Sequence, residues 1–156
     1  MCHYCGCREM PLIRDYIAEH ERAINLGGDA VRAIDRGELA EASELLRRMG
    51  AELRSHWQGE ENGLFAVMGR DPLVAEHIGP LVREHRELED LLVAVDLADP
   101  ADQERIRTAV SELHEHIAKE EDGLFPASLI ALGGAEWDAS MLAWQEAHPG
   151  QSMIGE

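Results

Sequence analysis

Residues 55–65 read Ser-His-Trp-Gln-Gly-Glu-Glu-Asn-Gly-Leu-Phe, and residues 115–125 read Glu-His-Ile-Ala-Lys-Glu-Glu-Asp-Gly-Leu-Phe. The two segments share six of their eleven residues. Upstream of each segment, the dipeptide Glu-His occurs at residues 19–20 and again at residues 84–85. The two dipeptides are therefore about five residues further apart than the two segments, and we expect loops to take up this difference. Repetition over this length predicts two copies of one supersecondary unit that pack together.

The spacing of apolar residues predicts helices along the whole chain. Apolar side chains recur every three or four residues in four long segments, which is the pattern of amphipathic helices with one buried face. We expect these helices over about residues 11–37, 38–68, 81–95 and 100–132. Asp71-Pro72 and Gly79-Pro80 predict a short connecting segment before the third helix, and residues 137–147 predict a short fifth helix.

These segments predict an all-α fold, an antiparallel up-and-down four-helix bundle, because the connections between the long helices are short. The bundle would occupy residues 11–132. A short Cys-rich segment, residues 1–10, precedes it, and a short helix with a tail, residues 133–156, follows it. The chain has 156 residues and a mass of 17.3 kDa, which is sufficient for one domain with a buried core.

The charge balance argues against nucleic acid and membrane partners. The chain carries 31 acidic and 14 basic side chains and has a formal net charge of -17, so phosphate backbones and anionic lipids repel it. The longest stretch without a charged residue, residues 123–135, is too short to span a bilayer. We therefore expect a soluble, cytoplasmic protein, and whether it forms a homodimer is left open.

Six polar residues occupy the apolar faces of the predicted helices: His20, His56, Glu60, His85, His116 and Glu120. A buried carboxylate is costly unless it is paired or binds a metal. Residues four apart lie on the same face of a helix, so each His-x3-Glu pair can offer a nitrogen and an oxygen to one inward point. With the two lone histidines, the set would bind two metal ions, each with two imidazoles, and two carboxylates able to bridge them. Such mixed ligands suit iron, with manganese or zinc as substitutes.

The doubled pattern of a His followed by His-x3-Glu resembles the hemerythrin-like, or HHE cation-binding, family over roughly residues 10–132. The resemblance implies a non-haem diiron centre within a four-helix bundle. The ligands that it implies are His20 and His56 for one iron, His85 and His116 for the other, and Glu60 and Glu120 as bridges.

The chain departs from the oxygen-carrying members of that family, which use five histidines with one Glu and one Asp. Here the second carboxylate motif is His-x3-Glu, and no histidine stands four residues from His85, where Leu81 and Glu89 are found. The resemblance therefore favours bacterial members that react with oxygen, peroxide or nitric oxide, or that handle iron.

We interpret the protein as one that binds or turns over a small oxidant, with hydrogen peroxide decomposition or protection against oxidative stress as the favoured activity. Oxygen or nitric oxide binding or sensing is the alternative, followed by iron storage or repair. Whether the centre is an enzyme is left open; as an enzyme it would be catalase-like or otherwise peroxide-reactive, and no separate catalytic residue is assigned. A ferritin-like carboxylate bundle is disfavoured because no histidine here has a Glu three residues before it.

Four further residues are candidates for roles near the metals. Glu89, one helical turn after His85, is a candidate for an additional ligand, and His77 is a candidate for filling an open coordination position. Glu52 and Glu112 lie four residues before the histidines of the two motifs, so they are candidates for orienting the imidazoles. The alternative for all four is a solvated position on the surface.

Two other repeated residue types follow the ligand pairs. Glu61 and Glu121 lie about 100° around the helix from the ligands, and we interpret them as outward charges. Gly63 and Gly123 are unusual inside helices, since a glycine costs about 1 kcal/mol relative to alanine there. We expect them either to leave space for a small ligand or to permit close packing of helices.

The N-terminal segment contains Cys2, Cys5 and Cys7 together with His3. Three thiolates and an imidazole can bind a zinc ion separate from the irons, although the second spaced pair of an ordinary zinc module is absent. The alternatives are a redox role for the thiols and an ordinary tail with exposed thiols. The odd number of cysteines argues against a self-contained disulfide framework.

Overall fold

The structure is a computed structural model that describes residues 6–154, and this range consists of helices and their connections without a strand. Seven α-helices follow one another in the described range: α1 (Ile13–Asp35), α2 (Leu39–Asn62), α3 (Leu64–Met68), α4 (Pro72–Ala94), α5 (Pro100–Lys119), α6 (Phe125–Ala131) and α7 (Gly134–Ala147). A 3₁₀ turn, Cys7–Glu9, precedes α1, and a π-helical turn, Glu120–Leu124, joins α5 to α6. The predicted all-α class is confirmed.

The four long helices form a closed ring of contacts. Helix α1 packs against α2 and α5, and α4 packs against the same two helices. The predicted short fifth helix is present as α7, which packs against α2 and α3. None of the helices within residues 6–154 is long and apolar enough to cross a membrane.

The interior contains two apolar clusters with a polar layer between them. One cluster includes Phe125, and the other includes Met49. The buried histidines and glutamates lie where the chain passes from one cluster to the other. On α1, for example, His20 lies between Ile17 in the first cluster and Ala23 in the second. The apolar clusters therefore hold the polar layer from both sides.

Two of the long helices begin at Asp-Pro pairs. The carboxylates of Asp71 and Asp99 accept hydrogen bonds from the backbone N–H groups of Leu73 and Ala101, each at 2.9 Å. A proline stands at the start of each helix, where its fixed φ is favourable and its missing N–H costs nothing. The start of α5 that the Asp-Pro pair predicts is confirmed.

The connecting segment predicted around Gly79-Pro80 is helical instead. Helix α4 begins at Pro72 and continues through Pro80 to Ala94. A proline inside a helix removes one backbone hydrogen bond. The buried side chains of Ile78 and Leu81 on either side of Pro80 pack into the first apolar cluster, and this packing offsets the loss.

The predicted second and fourth helices are interrupted at the end of each His-x3-Glu pair, inside the repeated segments. Helix α2 ends at Asn62, and Gly63, with φ -109° and ψ -103°, separates it from α3. In the second copy the chain instead forms the π-helical turn Glu120–Leu124, a local widening of the helix that is frequent at functional sites. The two copies therefore differ in backbone at equivalent positions.

The two repeated glycines have different surroundings. A Cβ atom at Gly63 would lie 2.7 Å from the carbonyl oxygen of Gly59 and 3.2 Å from atoms of Ser140 and Ala143 on α7. A Cβ atom at Gly123 would have no neighbour within 4 Å outside its own helical turn, and Gly123 is exposed. Close packing against α7 explains Gly63, and nothing in the structure explains Gly123.

Replacing Gly63 by alanine should lower the free energy of unfolding by about 1–3 kcal/mol, because the added methyl group overlaps the Gly59 carbonyl oxygen and displaces α7. Gly123→Ala is the matched control, and it should be neutral or stabilising by up to about 1 kcal/mol, the helix preference of alanine over glycine. Urea unfolding of both variants measures the two values. Equal effects of the two substitutions would contradict this difference in packing.

Candidate metal centre

Six buried side chains meet in the polar layer at the middle of the bundle. They are His20 on α1, His56 and Glu60 on α2, His85 on α4, His116 on α5, and Glu120 at the start of the π-helical turn. Each is at most 5% exposed. The potential ligand atoms of His20, His56, Glu60 and Glu120 all lie within 4.8 Å of one another, and so do those of His85, His116 and Glu120. The structure thus brings together all six residues that the repeat singles out.

The four imidazoles point their Nε2 atoms inward in two pairs. The Nε2 atoms of His20 and His56 are 3.0 Å apart. The Nε2 atoms of His85 and His116 are also 3.0 Å apart. Each pair combines one lone histidine with the His of a His-x3-Glu motif, so the two pairs are related by the sequence repeat.

Three of the four imidazoles contact a carboxylate through Nδ1 on their outer side. The Nδ1 atoms of His20, His85 and His116 lie 2.9, 2.9 and 2.6 Å from oxygens of Glu121, Glu61 and Glu84, respectively. Because an ionised carboxylate can only accept, Nδ1 donates in each contact, and in the neutral ring Nε2 keeps its free electron pair. The outer carboxylates therefore fix the tautomer in which a histidine binds a metal through Nε2.

A basic residue holds each outer carboxylate in turn. Arg8 donates to Glu121 at 2.8 Å, Arg86 donates to Glu61 at 2.9 Å, and Lys119 donates to Glu84 at 2.6 Å. Partial burial raises the pKa values of these three carboxyl groups, but the histidine and basic partners outweigh it and hold the values below the ordinary range. The three groups are therefore ionised at neutral pH.

Glu60 and Glu120 are fully buried, and none of their four carboxylate oxygens has a hydrogen-bond partner within residues 6–154. The Oε1 atoms lie 2.9 Å from His56 Nε2 for Glu60 and 2.7 Å from His116 Nε2 for Glu120. Each carboxylate also faces the opposite pair, at 3.6 Å from His85 Nε2 for Glu60 and 3.7 Å from His20 Nε2 for Glu120. Buried oxygens without donors beside converging nitrogens fit a metal centre with bridging carboxylates.

The facing charges perturb the acidities of the inner groups. Burial, and next the Glu120 carboxylate, raise the pKa of Glu60 well above its ordinary value. Burial alone would lower the pKa of His56, but the Glu60 and Glu19 carboxylates raise it well above the ordinary value. The Glu60–His56 pair of the metal-free protein therefore holds a proton more tightly than the free groups would, and a metal ion must displace it.

The interpretation of Glu61 and Glu121 as outward charges is wrong. Their side chains are 19% and 14% exposed, and each one contacts the lone histidine of the other copy of the repeat, His85 and His20 respectively. Glu52, a candidate for orienting His56, instead accepts a hydrogen bond at 2.8 Å from Arg22 on the surface. Glu61 and Glu121, which directly follow Glu60 and Glu120, therefore make the imidazole contacts that were expected of the glutamates four residues before His56 and His116.

His56 is the exception among the four imidazoles. Glu19 occupies the position that corresponds to Glu84 in the other copy, but its Oε2 atom lies 3.8 Å from His56 Nδ1. No hydrogen bond reaches this Nδ1 from residues 6–154. The Glu19 carboxylate is bound elsewhere, by Trp144 Nε1 at 3.1 Å and by His148 Nε2. These contacts tie α7 to α1.

Two residues that were candidates from the sequence lie apart from the buried group. Glu89 accepts hydrogen bonds from Arg54 at 2.8 and 3.1 Å, so its carboxylate is neutralised at the surface. His77 is exposed. Neither residue joins the six convergent side chains, because both face away from the interior of the ring.

The cysteine segment is only partly described. Cys7 is disulfide-bonded, and a sulfur in a disulfide offers no thiolate to a zinc ion. Cys2, His3 and Cys5 lie outside the described residues. Zinc binding at this segment stays a prediction.

Sequence reasoning missed several residues that surround the centre. The repeated Glu-His dipeptide is the signal that could have indicated Glu19 and Glu84, since each precedes a lone histidine. Tyr16, one turn before His20, is fully buried and its ring contacts the His56 ring edge-on at a centroid distance of 5.1 Å. His148 gave no signal, because its contact with Glu19 joins residues 129 positions apart.

A cleft of about 540 Å³ between α4 and α5 reaches the centre from one side. Its apolar lining includes Leu88, Leu113 and Trp57, and the Trp57 ring stacks on the His85 ring at a centroid distance of 4.9 Å. His85 and His116 also line the cleft. Charged side chains, including Glu84, Glu112 and Lys119, line the cleft as well, so a small molecule can approach the second imidazole pair along a path of mixed polarity.

Metal binding to the metal-free protein should release protons, because the metal displaces the proton that the Glu60–His56 pair holds. Since these pKa values are raised, the metal affinity should increase as the pH rises from about 6 to 8. Titration with Mn²⁺ in weakly buffered solution with a pH indicator measures the release, and Mn²⁺ avoids thiolate ligands. Binding without proton release would contradict this description of the inner carboxylates.

Comparison with known proteins agrees with the buried group. A sequence model of the hemerythrin HHE cation-binding domain family matches residues 12–128, a range that contains all six convergent residues and the four long helices almost entirely. No curated protein matches the chain significantly, and no solved structure does so. Because the family model covers most of the chain, the protein belongs to the hemerythrin HHE cation-binding domain family.

Proposed function

We propose that the protein is a non-haem diiron protein, built on an antiparallel up-and-down four-helix bundle, that turns over hydrogen peroxide. The observation that carries this proposal is the convergence of four Nε2 atoms on two buried carboxylates whose oxygens have no hydrogen-bond donors within the described residues. His20 and His56 would bind one iron and His85 and His116 the other. Glu60 and Glu120 would bridge the two.

The proposed reaction converts two molecules of hydrogen peroxide into two of water and one of dioxygen. Each half of this reaction moves two electrons, and two irons held by these six residues would supply that two-electron redox chemistry. The protein contributes the orientation of the imidazoles and the exclusion of bulk water from the polar layer. The cleft beside His85 and His116 gives small molecules access to the polar layer.

The outer carboxylates favour reaction with an oxidant over simple reversible binding. Glu61, Glu84 and Glu121 are ionised and accept hydrogen bonds from the imidazoles, which makes the imidazoles more basic ligands. More basic ligands stabilise the higher oxidation state of iron. This supports a centre that gives electrons readily to peroxide, with protection against oxidative stress as its role.

The proposal predicts that iron-loaded protein contains two irons per chain and consumes peroxide repeatedly, with evolution of dioxygen and recovery of its absorption spectrum. His116→Ala should reduce iron affinity and turnover. Each should fall by more than the roughly 10- to 100-fold in affinity or activity that loss of a ligand's hydrogen-bond partner costs. His77→Ala is the matched control, since His77 is exposed, and it should leave both unchanged. An oxygen electrode and metal analysis measure these quantities.

Other outcomes of the same experiment identify the alternative functions. A stable adduct with oxygen or nitric oxide and no peroxide turnover would contradict the proposal and indicate a binding or sensing protein. Uptake of many irons per chain would contradict it and indicate iron storage. One iron per chain, or none, would contradict the two-metal centre itself.

A further inference from the structure

The two imidazole pairs are related by the sequence repeat, but their outer partners differ at one position. His116 Nδ1 contacts Glu84 at 2.6 Å, whereas the corresponding distance from His56 Nδ1 to Glu19 is 3.8 Å, which is too long for a hydrogen bond. The other two imidazoles do not differ in this way, since Nδ1 of His20 and Nδ1 of His85 each lie 2.9 Å from a carboxylate oxygen. Within residues 6–154, His56 is the one imidazole of the four whose Nδ1 has no carboxylate within hydrogen-bond distance.

Two side chains at the end of α7 hold Glu19 in its position. Trp144 Nε1 donates to Glu19 Oε2, the oxygen nearest to His56, at 3.1 Å. His148 Nδ1 contacts the carbonyl oxygen of Trp144 at 2.7 Å, and His148 Nε2 contacts Glu19 Oε1. Both nitrogens of His148 face acceptors, so both donate and the ring is an imidazolium paired with a carboxylate. The Trp144 and His148 rings stack at a centroid distance of 4.1 Å, which fixes both donors.

The surroundings of His56 show that Glu19 is held away from an available donor. His56 Nδ1 is buried without a hydrogen-bond partner in the described part of the chain, and the neighbouring Tyr16 hydroxyl is in the same condition. An unsatisfied buried donor costs about 1–3 kcal/mol in general. A carboxylate only 3.8 Å away would remove that cost by a small movement. The contacts with α7 are what oppose this movement.

We propose that α7 makes the two metal half-sites unequal: Trp144 and His148 hold Glu19 away from His56, and the metal at the His20–His56 pair is therefore bound more weakly than the metal at the His85–His116 pair. Glu84 and Glu19 are positioning residues that act through the imidazoles. This inference rests on the proposed two-metal centre. It adds that the ion at the His20–His56 pair dissociates before the ion at the His85–His116 pair.

The strength of the effect follows from the role of such carboxylates. A carboxylate that accepts from a metal-bound imidazole orients the ring and increases its basicity, and its loss typically reduces metal affinity 10- to 100-fold. The two half-sites share Glu60 and Glu120 as common ligands and have equivalent partners on His20 and His85. Among the Nδ1 contacts of the four imidazoles, the one at His56 is thus the one that separates the two half-sites.

Trp144→Phe tests the proposal because it removes only the N–H that holds Glu19 Oε2. Anaerobic Fe²⁺-loaded protein is mixed with ferrozine, and the release of iron is followed by absorbance. Wild-type protein should release its two irons in two phases whose rates differ by about 10- to 100-fold. Trp144→Phe should slow the fast phase about tenfold or more, because Glu19 can then reach His56. Trp137→Phe on the same helix is the matched control and should change neither phase.

Glu84→Gln assigns the slow phase and keeps the test independent of how well the Trp144 variant folds. It should accelerate the slow phase about 10- to 100-fold, so that the two phases merge. A merely structural role for Trp144 would accelerate release in its variant, which is the opposite direction. Two irons released in one phase from wild-type protein, or an unchanged or faster fast phase in Trp144→Phe, would overturn the inference. Neither result would affect the proposed function, which is tested separately by iron content and peroxide turnover.

Discussion

Two carboxylates, those of Glu60 and Glu120, lie fully buried in the middle of the bundle without a hydrogen-bond donor among the described residues, and the surrounding structure is arranged to compensate their charge. A pair of negative groups facing each other in the interior is unfavourable, as the raised pKa of Glu60 shows. The imidazoles relieve it only in part, since burial lowers the pKa values of His20 and His85 and so disfavours their charged forms. Metal cations at this position would bind the nitrogens and the oxygens together. Metal binding would therefore remove the cost of burying these polar groups.

The compensation extends outward in ordered steps from the centre to the surface. An inner carboxylate faces an imidazole, the imidazole donates to an outer carboxylate, and a basic side chain holds that carboxylate, as in the series Glu120, His116, Glu84 and Lys119. Each step alternates the sign of charge or the direction of the hydrogen bond. The series that starts at His56 is different, because it turns through Glu19 toward the end of α7. The sequence repeat thus builds an almost symmetric centre, and α7 makes it asymmetric.

Local rules carried the sequence interpretation as far as the six inner residues. The i,i+4 geometry of His-x3-Glu and the apolar stripe place these side chains inside whatever the exact packing is. Contacts that depend on packing between distant segments were not accessible. Glu121 was placed outside by an ideal helix, but the approach of α1 brings His20 to it, as the approach of α4 brings His85 to Glu61. The contact of His148 with Glu19 depends on where α7 docks, and no periodicity encodes that.

The central claim is that the six inner residues form one centre for two metal ions, and anomalous diffraction from crystals of iron-loaded protein tests it most directly. Data collected on both sides of the iron absorption edge locate each iron without reference to a model of the protein. The account predicts two anomalous peaks per chain, one in contact with Nε2 of His20 and His56 and the other in contact with Nε2 of His85 and His116, with the Glu60 and Glu120 carboxylates between them. A single peak, or peaks outside this group of residues, would contradict it.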